Sequence, residues 1–95
     1  MNARGKANAV RWVEFSVRRA EEELAAATRQ WKEFEEEGAS AEMPARCNVA
    51  ELRALAAWQT ARRQARARAA ARLGRCQSEL RRVLALRAAL SATRH

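Results

Sequence analysis

Catalysis needs a nucleophile or proton carrier with a tuned pKa, held in a shaped pocket. The chain offers few such groups. Its one His is His95, the final residue, where chain ends usually fray. There is no Asp, and the Glu residues sit mainly among bases on one segment, where they should be ionised and solvated. Cys47 and Cys76 lie 29 residues apart with no nearby His, so they form neither a zinc set nor a redox pair. Cys47 stands beside an expected helix start, a position that lowers a thiol pKa, but it has no adjacent base. Cys76 reads more simply as a small buried residue. The expectation is no enzyme, no catalytic residue, no cofactor, no metal and no small-molecule substrate.

Arginine is the next candidate. Arg62, Arg63, Arg66, Arg68, Arg72 and Arg75 crowd one stretch, and guanidinium groups make bidentate phosphate contacts. They fall on several helix faces, however, and no Lys accompanies them. No paired zinc ligands, glycine-rich clamp or aromatic stacking strand is legible. Contact with structural RNA or non-specific DNA is therefore the second reading, and a solvated arginine face is the bland one. A basic helix can also lie on a membrane surface. The basic middle here carries little bulky apolar surface, which makes that reading weaker still.

The elements that position these residues are helices. Ala and Arg dominate, there are three Gly and one Pro, and β-branched residues are few. From Val10 a heptad runs without a miss through Val13, Val17, Ala20, Leu24, Ala27, Trp31 and Phe34. Alternating steps of three and four keep one seam facing a second helix. Gly38 suits the left-handed end of this helix. A linker over 38–47 contains Pro44, and Asn48-Val-Ala-Glu51 has the spacing of a capping box for a second helix. That helix should run to about Ala92, with a seam of Leu55, Trp58, Ala61, Ala65, Ala69, Leu73, Cys76, Leu80 and Val83. Its consecutive steps of four are a stutter, which locally unwinds a supercoil. The fold expected is all-α: an antiparallel, coiled-coil-like two-helix hairpin with helices over 10–37 and 48–92 and a flexible basic arm over 1–9. At 95 residues a lone hairpin is marginal. Assembly into a four-helix bundle, or into a heteromeric helical complex, would bury more of it.

Charge divides the two helices. Residues 10–37 hold five basic and eight acidic side chains, net −3, whereas 49–95 hold eleven Arg and two Glu, net +9. Such helices attract, and acid–base pairs along the rim can select register. Folding about residue 43 would set Val10 opposite residue 76, place Glu21 to Glu23 near Arg62, Arg63 and Arg66, and bring Trp58 close to Trp31. Leu80, Val83, Leu84, Leu86 and Leu90 would then overhang. Trp12 and Phe15, at positions c and f, would stand outside the seam. Exposed aromatic and leucine clusters mark contact surfaces. These seven residues are the interface candidates.

The leading expectation is a non-catalytic structural or adaptor subunit acting through helix–helix contacts, with a protein partner or self-association. No run of the chain is apolar enough to insert in a bilayer. The basic start lacks the apolar stretch of a secretory signal, and unpaired thiols suit a reducing compartment. A cytoplasmic location is expected, with a mitochondrial or other reducing organelle interior as the alternative.

Overall fold

A computed structural model describes residues 3–37 and 48–92 of the chain. It contains two long helices, α1 (Ala3–Glu37) and α2 (Val49–Ala92), packed antiparallel in a hairpin 72 × 19 × 14 Å in extent. The expected linker, with Gly38, Pro44 and Cys47, lies outside the described residues, as does His95. α2 opens on the expected cap. The Glu51 backbone N–H donates to Asn48 Oδ1 at 2.8 Å, satisfying one of the orphan donors of a helix start. The reciprocal arm differs from the usual box, because Asn48 Nδ2 itself donates to Glu51 Oε1 at 3.1 Å.

Residues 3–9, expected as a frayed arm, are helical. Ala3, Arg4, Lys6, Ala7 and Ala9 all favour helix, and Gly5 is a single interruption costing about 1 kcal/mol. Continuity with the strong heptad behind it removes the cost of a separate nucleus.

The α1 seam is the one its periodicity predicts. Val13, Val17, Ala20 and Ala27 are buried, with Val10, Leu24, Trp31 and Phe34 half-buried beside them. From α2 come buried Ala69 and Val83, with half-buried Ala65, Leu73, Cys76 and Leu80. The register is not the expected one. Val10 lines a crevice with Leu90, not with residue 76. The difference is two heptads, a slide that keeps the α2 seam from Ala65 to Val83 on its own face. Glu14 reaches Arg87 at one end of the hairpin, and Glu37 pairs with Arg62 at the other.

This slide reverses the overhang. Leu80, Val83, Leu84 and Leu90 are not a protruding surface. Val83 is 1% exposed in a cluster with Val13, Val17 and Ala20, and the three leucines pack against it. It is instead the first turns of α2, from Val49 to Ala61, that run on past Glu37, by about 20 Å at 1.5 Å per residue. Trp58, expected in the core beside Trp31, is 52% exposed for this reason. Gln59 and Arg62 take the half-buried places expected for Trp58 and Ala61.

Gly74 sits in mid-α2 with nothing within 4 Å of where a Cβ would stand. Gly74→Ala should therefore add about 1 kcal/mol of stability by lowering the backbone entropy lost on folding. Thermal melts followed by circular dichroism should show a midpoint several degrees higher. A fall in the midpoint would mean that this face is covered.

Candidate protein-contact surface

One flank of the hairpin carries large aromatic side chains that α2 does not cover. Trp12 and Phe15 are 54% and 60% exposed, and they line a groove with Arg19 and Glu23 of α1 and Glu79 and Arg82 of α2. The helix period explains their exposure. Trp12 immediately precedes the seam residue Val13, so it is turned about 100° away from the seam. Leu86, 37% exposed, follows Arg82 by four residues and so shares its face of α2. The flank therefore joins Trp12 and Phe15 to Leu86, with charged side chains along one border.

Those charges are satisfied locally. Arg19 Nε donates to Glu23 Oε1 at 3.1 Å, and Arg82 Nη2 donates to Glu79 Oε1 at 2.6 Å. The hydrogen bond from Arg82, reinforced by its charge, holds the Glu79 carboxyl below its ordinary pKa. The sign follows: a lowered folded-state pKa means the pair helps the fold at neutral pH and ceases to do so as pH falls through that value. Both side chains are wet, so the contribution is small. Their main effect is to present the groove wall as neutral pairs.

The six arginines divide. Arg62 pairs with Glu37 and lies 4.5 Å over the Phe34 ring. Arg66 lies 5.2 Å over the Trp31 ring, whose indole N–H donates to Glu35 at 2.6 Å. Arg72 donates to Gln30 Oε1 at 3.0 Å. These three fasten α2 to α1, with cation–π contacts where a seam would ordinarily have aliphatic pairs. Glu21 to Glu23, expected beside Arg62, Arg63 and Arg66, lie elsewhere because of the slide, and Glu23 shares its groove with Glu79 and Arg82. Arg63, Arg68 and Arg75 are exposed and have no ion pair or hydrogen bond among the described residues.

Of the seven expected interface residues, Trp12, Phe15 and Leu86 come together on the flank. Leu80, Leu84 and Leu90 are half-buried within the hairpin, and Val83 is wholly internal. A second exposed apolar group was not anticipated: Val49, Leu52 and Trp58 on the projecting turns of α2, 65%, 43% and 52% exposed. Its sequence signal was the unequal length of the two helices, which demands an overhang at one end or the other.

Among the described residues, no His, Cys, Asp and Glu side chains group as a metal set, and no helix is long and apolar enough to cross a membrane. No family model matches the chain, and neither the curated proteins nor the solved structures yield a match. The functional reading therefore rests on the hairpin and its surfaces.

Proposed function

We propose that this chain is a non-catalytic structural or adaptor subunit that works by helix–helix contact, with the Trp12–Phe15–Leu86 flank as its principal contact surface. The observation that carries this reading is two aromatic side chains, each more than half exposed, on a flank of an extended hairpin. Aromatic side chains lose little rotamer freedom on binding and dominate interface energies when desolvated. The groove wall of self-paired charges supports the same reading, since it gives a polar rim that can be covered without stranding a lone ion.

A polyanion-contacting role for α2 is the second reading, favoured by the exposed Arg63, Arg68 and Arg75. Only half of the arginine cluster is then available, because Arg62, Arg66 and Arg72 are engaged with α1.

The two readings part on mutation. Trp12→Ser with Phe15→Ser should abolish association while leaving the far-ultraviolet dichroism of the helices unchanged. Replacing Arg63, Arg68 and Arg75 with Gln should leave protein association largely intact. If instead the arginine variant loses its partner, and wild-type binding weakens steeply with salt, the polyanion reading takes precedence.

A further inference from the structure

We infer that the occupant of this flank is a second copy of the chain, related by a two-fold axis along the length of the hairpin, so that α1 of each copy lies on α2 of the other. The inference rests on the contact-protein reading above and names its partner.

Two heptad columns define the flank. On α1, Trp12, Arg19, Ala26 and Glu33 each stand one residue before a seam residue. On α2, Arg68, Arg75 and Arg82 each stand one residue before Ala69, Cys76 and Val83. In an antiparallel helix pair, positions with the same offset from the seam lie on the same side. The groove that holds Trp12 and Arg19 together with Arg82 agrees with this placement.

Where the columns carry charge without an ion pair, its sign is opposite on the two helices. α2 presents Arg68 and Arg75, both exposed and without an ion pair among the described residues. α1 presents Glu33, likewise exposed and without one. Rotation about the long axis preserves each residue's height along the hairpin. Glu14 is level with Arg87, and Gln30 with Arg72. By that register Glu33 is level with Arg68 of the second copy, and Phe15 with its Leu86. Trp12 and Phe15 of each copy would thus close over the leucine of the other. Arg19 and Arg82 also come level, but each brings its own carboxylate, Glu23 and Glu79, so two neutral pairs meet there. The alternative two-fold axis, across the hairpin, would set α1 on α1 and turn the unpaired Arg68 and Arg75 of one copy toward those of the other. Like charges reject that arrangement.

The area suffices for a modest dimer. From Trp12 to Glu33 the flank runs about 32 Å at 1.5 Å per residue. With a breadth of 19 Å this gives roughly 600 Å² per copy. The sum for two copies is at the lower edge of stable interfaces, so a concentration-dependent dimer is expected.

Sedimentation equilibrium on the purified chain is the test. Wild type should approach twice the 10.7 kDa of one chain as concentration rises. Phe15→Glu should raise the dissociation constant more than about tenfold, as expected for an interface hot spot. Glu33→Arg and Arg68→Glu should each weaken the dimer, and the double variant E33R/R68E should recover it. All these positions are exposed, and dichroism checks that each variant remains helical. A monomer at every concentration, a dimer indifferent to Phe15, or a double swap without recovery overturns the inference. A monomer that still binds another protein through Phe15 rejects the second copy while keeping the contact-protein reading. A monomer with no Phe15-dependent contact rejects both.

Discussion

Val83→Asp should leave most of the chain unfolded at neutral pH. Val83 is 1% exposed and touches the cluster of Val13, Val17 and Ala20 that joins the two helices. Among the described residues six apolar side chains are buried, and three of them are alanines. Losing the valine's burial costs about 2 kcal/mol. Setting a carboxylate in its place adds several kcal/mol more, because among the described residues no buried polar side chain is there to receive it. The total rivals the whole stability of a small domain, which is about 5 kcal/mol at the low end. Far-ultraviolet dichroism should fall, since helices in proteins draw most of their stability from tertiary packing of an apolar face. The introduced carboxyl would have a folded-state pKa raised by burial. Its penalty is therefore absent below the unfolded value near 4 and grows as pH rises through that range. V83D should regain helix on acidification relative to its neutral state, whereas Val83→Ala should show a loss of about 2 kcal/mol at either pH. A V83D chain with wild-type dichroism and melting at neutral pH would mean that Val83 does not join the helices.

The same residue shows what was and was not legible in the sequence. Heptad spacing gives the face of a helix, and on α1 it gave the seam from Val10 to Phe34 in full. Spacing does not give register, because a slide of whole heptads preserves every face. The expected fold about residue 43 put Val10 against residue 76, and the structure puts it beside Leu90, two heptads on. Bulk settles the matter. In the observed register Val13 and Val17 meet Val83 and the neighbouring leucines, and the guanidinium groups of Arg62 and Arg66 cover Phe34 and Trp31. Neither fit has a periodicity by which it could be recognised. Val83 thereby moves from expected surface to core, and Trp58 from expected core to surface. Trp12 and Phe15 remain exposed in either register, because their exposure depends on face alone. They are for that reason the part of the contact surface that the sequence could supply, whereas the division of the arginines needed the register first.

Ala27→Leu should destabilise the hairpin by about 1–3 kcal/mol, although seam periodicity alone argues for the opposite. On pattern, a leucine in an unbroken heptad extends the apolar seam and also favours helix. In the structure Ala27 is wholly buried, at 0% exposed, and the register of Gln30 with Arg72 sets it level with the half-buried Leu73 and Cys76 of α2. The methyl group of Ala27 has no open surface left beside it there. A leucine needs the helices to part, and both sides resist. Toward one end stands the valine cluster of Val13, Val17 and Val83. Toward the other, Arg72 is bonded to Gln30, and Arg66 lies over Trp31. Each contact requires a close approach that a wider spacing would undo, so the strain cannot be relieved locally. The melting midpoint should drop by on the order of 10 °C for a domain of this size. Ala25→Leu, two residues away on the exposed face, should change it little. If both variants melt like wild type, the helices are not held at alanine spacing. Should A27L alone melt lower, the alanines of the seam are spacers that set how closely α1 and α2 approach, and the charged and aromatic contacts on either side depend on that distance.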